Sequence, residues 1–248
     1  MKNNFDMYDL HYARVGNKPP DWEAADMSPE DYACKRPWLP KSVTARILDF
    51  GCGWGHQLLA LWCAGYKNIE GVELVSRQAR TANECAQGRF PILCMDGREY
   101  LIGKEAAYDL IILNDVFEHI PPSDALELLL TLKAALRRGG TLVIRVPNMA
   151  NIFASYSYHL DITHVAGYTE YSLMQILDQA GFVAHRLVLP DLGLDLRRWR
   201  PWIPWRGLNL RTGMDYLLHK GLYWLRGYTK PCIYGTNIEM YSKKPMDE

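Results

Sequence analysis

The sequence predicts an α/β fold, a Rossmann-like sheet with helices on both faces, and three observations carry that reading. From residue 43 to residue 189, short apolar runs alternate with stretches of helical period, the pattern of parallel strands joined by crossover helices. The first apolar run, 43–50, is broken by Gly51, Gly53 and Gly55, after which 56–64 reads as a helix. Glycines in such a turn allow positive φ and let a ligand approach without meeting a Cβ. Twenty-two residues after Gly51, a second apolar run ends in Glu73, where a carboxylate can accept both ribose hydroxyls.

The remaining elements follow in order. The second strand is expected over 69–74, then a helix capped by Ser76 and stopped at Gly88. Residues 90–95 form the third strand, and Asp109-Leu110-Ile111-Ile112-Leu113 reads as a central one. An amphipathic helix over 123–138 ends at Gly139-Gly140, and the fifth strand, 141–146, stops at Pro147. Thr169 caps a helix over 170–180, Gly181 ends it, and 182–189 and 237–243 supply the last two strands. The organisation is one domain, 43–248, preceded by an aromatic and proline-rich segment, 1–42, and interrupted by an insertion, 190–235. For the N-terminal segment two readings stand, a lid over the site or packing against the sheet edge.

Composition excludes several classes. The 248 residues carry 28 basic and 28 acidic side chains, so no global field draws the chain to nucleic acid. Six cysteines without C-x-x-C spacing argue against a structural zinc or a disulfide framework. The N-terminus lacks the apolar core of a signal peptide and no window reaches membrane-spanning length. A cytoplasmic protein is expected, soluble or peripheral at the inner membrane face.

The glycine turn then discriminates between cofactors. A dinucleotide fingerprint needs glycine or alanine at position 56, which is His56, and Asp49 two residues before Gly51 would repel a pyrophosphate. A cationic ligand would welcome that carboxylate. Here the chain resembles the class I S-adenosylmethionine-dependent methyltransferases, whose first motif is hydrophobic-Leu-Asp-x-Gly-x-Gly-x-Gly, as Ile47 to Gly55 reads. The resemblance implies a seven-stranded sheet, the first five strands parallel and the seventh antiparallel, with S-adenosylmethionine across their carboxyl ends. It implies cofactor contacts at Asp49, Gly51, Cys52, Gly53, Gly55, Glu73 and Leu74. It also puts Asp96, with Gly97, at the adenine amine, and Asn114, opening Asn114-Asp115-Val116-Phe117-Glu118-His119, beside the methionine moiety and the methyl group. Leu136-Arg137-Arg138-Gly139-Gly140-Thr141-Leu142 matches the family's run into the fifth strand, so the resemblance covers roughly residues 45 to 189.

A second cluster, His159-Leu160-Asp161-Ile162-Thr163-His164, follows the fifth strand on the same rim. An Asp-x-Thr-His before a capped helix is similar to polysaccharide-associated and other small-molecule methyltransferases. Methyl transfer from a sulfonium is an in-line displacement in which alignment can supply up to about 7–11 kcal/mol. A sugar hydroxyl also needs a base, and imidazole is suited to that near neutral pH. His164 is the first candidate and His119 the second, with Asp161 orienting an imidazole or binding a substrate hydroxyl. The alternative for His164 is a loop histidine bonded to backbone. Glu118, His119, Asp161 and His164 are of a type to hold a divalent cation, but the sequence reading assigns no metal.

The third feature is the Trp/Arg-rich stretch from Arg197 to Arg226, where Asp215 is the lone acid. Such a stretch suits a membrane interface or lipid phosphates, with 208–225 as an amphipathic surface helix. It equally suits a substrate cap or a homodimer contact. The function expected is methylation of a sugar hydroxyl in glycan or polysaccharide biosynthesis, the acceptor being a small molecule or a glycan, free or lipid-linked. Alternatives are a quinone, polyketide or other lipid-like acceptor, a non-catalytic cofactor-binding scaffold and, more distantly, an NAD-dependent oxidoreductase. No nucleic acid partner is expected, because Asn114-Asp115-Val116-Phe117 stands where amino-directed DNA methyltransferases carry a Pro-Pro tetrapeptide.

Overall fold

The computed structural model describes residues 36–189, 210–227 and 231–247, together with His11, Arg14 and residues 18–20. The strands are β1 (Ile47–Phe50), β2 (Ile69–Glu73), β3 (Ile92–Cys94), β4 (Tyr108–Asn114), β5 (Leu136–Pro147), β6 (Val183–Leu187) and β7 (Asn237–Lys243). Helices α1 (His56–Cys63), α2 (Ser76–Ala86), α3 (Gly97–Tyr100), α4 (Pro122–Ala135), α5 (Ala154–His159), α6 (Glu170–Gln179) and α7 (Leu210–Arg226) accompany them. The strands form one seven-stranded sheet in the order β3-β2-β1-β4-β5-β7-β6. Neighbours from β3 to β5 run parallel, while β7 is antiparallel to both β5 and β6.

Period-two alternation in continuous apolar strands explains why both sheet faces are covered. Leu48, Ile111 and Leu113 point to one side, against Leu128 and Leu132 of α4 and Leu173 and Leu177 of α6. Ile47, Leu110 and Ile112 point to the other, against Leu58 and Leu61 of α1 and Ala79 and Ala82 of α2. Trp38, the described tryptophan of the N-terminal segment, is buried in that second layer and donates from Nε1 to Glu239 of β7. Its role is packing. Tyr8, Tyr12, Trp22 and Tyr32 lie outside the described residues.

Several boundaries differ from expectation, and the largest difference has its reason in the tertiary ladder. The helix expected to reach Arg138 ends at Ala135, and 136–140 is strand. Leu136 pairs with Tyr108, the Gly139 N–H donates to the Lys244 carbonyl, and the Lys244 N–H returns a bond to Gly140. Those partners override the local helical pattern. The first strand begins at Ile47, not 43, and the short helices α3 and α5 add to the elements expected. Of the insertion, α7 is described and the Arg197 to Arg206 stretch lies outside the described residues. Among the described residues no helix is long and apolar enough to cross a membrane.

Candidate active site

The chain leaves β1 through three left-handed glycines, Gly51 at φ 75°, Gly53 at 53° and Gly55 at 83°. Gly55 forms the N-cap of α1. Gly51 is constrained twice, because a Cβ there would also collide with the Val116 side chain. Parallel pairing of Asp49 with Gly71 and Phe50 with Val72 brings the end of β2 against this turn. Glu73 closes the arrangement. Its Oε2 accepts the Gly53 N–H at 2.8 Å and its Oε1 the Val75 N–H at 2.7 Å.

Asp49, only 2% exposed, lies beside Glu73. Burial first and the Glu73 charge second push its carboxyl up to about 8. Burial likewise pushes the Cys52 thiol well up. A cation here would reverse the pressure on Asp49, since an opposite charge favours the ionised form.

The turn opens onto a cavity of about 1090 Å³ at the carboxyl ends of β1, β2 and β4. It is lined by Asp49, Gly51, Cys52, Gly53, Glu73 and Leu74, and further along by Asp96, Gly97 and Asn114. Of the sequence-predicted cofactor residues only Gly55 is off the wall, where its task is to turn the chain into α1. Asp96 is the N-cap of α3, its Oδ1 accepting the Arg98 N–H at 2.7 Å. At Gly97 a Cβ would strike the Phe50 ring, so packing demands glycine there independently of any ligand. The Asn114 Nδ2 donates to the Gln57 Oε1 at 3.4 Å. Left-handed glycines, two buried acids and a cavity of this size suit a nucleoside carrying a cationic sulfonium and an ammonium.

The far end of the cavity is walled by Asp115, His119 and Arg145. His164 and Asp161 are not on the wall; they stand behind His119. The His119 and His164 rings lie 4.7 Å apart. His119 Nδ1 meets the Thr163 carbonyl at 3.2 Å and the Thr163 hydroxyl at 2.9 Å, and that hydroxyl donates to the Asp161 Oδ1 at 2.7 Å. His164 Nδ1 meets the Tyr158 carbonyl at 3.0 Å. So His164 does bond backbone through one ring nitrogen, while its Nε2 turns toward Glu118 at 4.0 Å. Burial, then the neighbouring His164, lowers the His119 pKa to about 4.

Three features of this end escaped the sequence reading. Asp115 holds a left-handed φ of 54° and pairs with Arg145 at 3.4 Å. Glu118 is 1% exposed, and neither carboxylate oxygen has a hydrogen-bond partner. Burial, joined by Asp115, raises its pKa well above the ordinary range. Finally, buried Asn148 donates to the carbonyls of Ile233 and Gly235, and Asn151 to that of Tyr234. These bonds tie the end of the insertion to the loop after β5. Helix α7 docks there too, with the Ile152 N–H donating to His219 Nε2 at 2.9 Å and the Tyr223 hydroxyl to the Ala150 carbonyl at 2.9 Å. Aspartate is enriched in the left-handed region but does not require it, so Asp115 by itself does not announce this turn.

Sheet order, glycine turn and acid at the end of β2 together define a class I S-adenosylmethionine-dependent methyltransferase. A family model described as a methyltransferase domain matches residues 29–187, and the chain belongs to that family. Among curated proteins, N-terminal Xaa-Pro-Lys N-methyltransferase 2 of Danio rerio is 28% identical over 156 residues, covering 57% of this chain and 55% of the relative. The chain thus spans about half the length of the curated relative it matches. Among solved structures, a SAM-dependent methyltransferase from Archaeoglobus fulgidus superposes with a TM-score of 0.67 at 19% identity, covering 96% of this chain and all of that one (100%). A possible histamine N-methyltransferase from Thermotoga maritima gives 0.60 at 16% identity, over 97% of this chain and 98% of the other. Phosphoethanolamine N-methyltransferase 2 of Haemonchus contortus, in complex with S-adenosyl-L-methionine, gives 0.61 at 14% identity, over 99% and 60%. These likenesses are of fold.

Proposed function

We propose that this methyltransferase transfers the methyl group to a hydroxyl of a sugar or glycan precursor, with Asp161, His119 and His164 as the acceptor-side group. The observation that carries the reading is His119 on the cavity wall, its Nδ1 against the Thr163 carbonyl and its ring against that of His164. When bound, the cofactor supplies an electrophilic methyl on a sulfonium. Asp49 and Glu73 hold that end of the ligand by charge and by the Gly53 turn. A hydroxyl must shed its proton as the methyl arrives, and the imidazole pair with Glu118 is the group beside the acceptor end that can offset it. Asp161 acts through Thr163 to fix the His119 ring. Asp115 and Arg145 offer a hydrogen-bonding wall suited to a polyhydroxyl acceptor.

The described residues His11, Pro20 and Arg36 fit a lid in this reading: His11 Nε2 lies 3.4 Å from Asp161, and Pro20 and Arg36 line the cavity. Helix α7 exposes Leu217, Leu218, Trp224 and Leu225 while turning His219 inward. That outward apolar face, with Lys220 and Arg226 exposed beside it, fits peripheral contact with a membrane carrying a lipid-linked acceptor.

N-methylation is the second reading, favoured by the Danio rerio relative, whose name gives an N-terminal Xaa-Pro-Lys amine as its acceptor. The experiment is turnover with methyl-labelled S-adenosylmethionine against glycan precursors, lipid-linked sugars, quinones and Xaa-Pro-Lys peptides in parallel. Label recovered as a sugar methyl ether supports the proposal. Label confined to the peptide amine replaces it with the second reading.

A further inference from the structure

We propose that Glu118, His119 and His164 form a binding site for one divalent first-row cation, held by two imidazole nitrogens and one carboxylate. One ligand atom from each of the three side chains can be chosen so that all lie within 4.8 Å of one another. Ligands at about 2.0–2.2 Å around one ion sit roughly 3.4 Å apart in tetrahedral geometry. Small side-chain rotations close the difference.

Two independent observations point to an ion. The first is Glu118, 1% exposed and with no hydrogen-bond partner on either oxygen. A buried carboxylate without a partner is strongly disfavoured, and protonating it leaves a buried O–H with nothing to donate to. A cation satisfies both oxygens at once. The second is the way the two rings are fixed. His119 Nδ1 faces the Thr163 carbonyl at 3.2 Å, and His164 Nδ1 faces the Tyr158 carbonyl at 3.0 Å. A carbonyl only accepts, so each Nδ1 carries the hydrogen and each Nε2 keeps its lone pair. That outer arrangement is the one metal-binding histidines require.

Ligand type selects the ion. Two imidazoles and one carboxylate suit Zn²⁺, Fe²⁺ or Mn²⁺ better than Mg²⁺ or Ca²⁺, which prefer all-oxygen shells. The backbone holds the site from both sides, since the Val165 and Ala166 N–H groups donate to the Glu118 carbonyl at 2.9 and 3.1 Å. Asp161 is a positioning residue, gripping Thr163 and through it His119. The use of the ion, though not its binding, rests on the hydroxyl-acceptor reading. With the ion bound, it replaces the imidazole pair as the group that offsets the proton: a hydroxyl beside a divalent cation is more acidic, so its proton leaves to water. The oxygen then bonds to the methyl carbon while the carbon–sulfur bond breaks, its electron pair remaining on the departing thioether.

The test is calorimetric titration of the chelator-treated full chain with Zn²⁺, Mn²⁺ and Mg²⁺ separately. The expected result is one Zn²⁺ or Mn²⁺ per chain, with Mg²⁺ binding at least tenfold more weakly. Glu118→Gln and His164→Asn should each weaken that binding at least tenfold, with S-adenosylhomocysteine affinity retained as the check on folding. Absence of saturable binding of all three ions to the wild-type chain overturns the site, as does binding unchanged in both variants. If an ion binds and only amine acceptors are methylated, the site stands and the hydroxyl reading fails. Sugar methylation at full rate by metal-free protein removes the ion from the reaction.

Discussion

The two ends of the cavity are built differently. The proposed cofactor end consists of one contiguous turn, Asp49 to Gly55, and one acid, Glu73, delivered by strand pairing and locked by its bonds to Gly53 and Val75. At the proposed acceptor end, the 117–119 turn, the 161–166 loop, the loop after β5 and helix α7 are brought together by bonds between distant residues: Thr163 to His119, Val165 to Glu118, His219 to Ile152. The first is a local device set in a rigid sheet. The second is an assembly whose chemistry depends on long-range contacts, and so it is the part free to differ between acceptors.

The comparison breaks most visibly at His164. His164→Ala should reduce turnover at saturating acceptor by about a hundredfold or more, with cofactor affinity unchanged by calorimetry; normal turnover would remove His164 from the acceptor-side group. Gly51→Ala should damage the other end. A left-handed alanine costs about 1–2 kcal/mol and overpacking against Val116 about 1–3 more, so thermal denaturation should fall by roughly 5–15 °C. An unshifted transition would mean the turn relaxes without cost.

Asp49 sharpens the contrast through pH. Its carboxyl stays protonated to about 8 in the ligand-free protein, whereas in an unfolded chain it ionises near 3.9. The folded state therefore holds the extra proton between those values, and stability falls as pH rises through that window. A cationic ligand favours the ionised form, so binding at pH 7 should release about 0.5–0.9 proton and tighten as pH climbs toward 8. Titrations in buffers of different ionisation enthalpy read that number directly, and zero release would separate Asp49 from the cation. The smallest effect is expected on the outside. Leu217→Asp on the exposed face of α7 should change stability by no more than about 0.5 kcal/mol, yet abolish sedimentation with anionic vesicles. Failure of the intact chain to sediment would end the membrane reading and leave a cap or a dimer contact.

The same division governs what the sequence revealed. β7 was legible to the residue at Asn237–Lys243 because Ile238, Met240 and Ser242 alternate inward, and the glycine turn was legible because left-handed φ leaves a compositional trace. The sequence reads as helix through 138 although the helix stops at Ala135, since pairing of Leu136 with Tyr108 and of Gly139 with Lys244 is invisible locally. His119 and His164 were legible as residue types in a rim loop. That His119 alone of the pair reaches the cavity wall, and that Glu118 lies buried without a partner, depend on the 161–166 loop folding back onto 117–119. No local pattern encodes that return.

The most direct test of the account is calorimetric titration of S-adenosylmethionine into the wild-type chain and into Glu73→Ala. Glu73 accepts the Gly53 N–H of the β1 turn, and if it also holds the ligand there, binding is saturable in the wild type and at least tenfold weaker in the variant. Equal affinity in both would contradict the assignment of the cofactor to this turn.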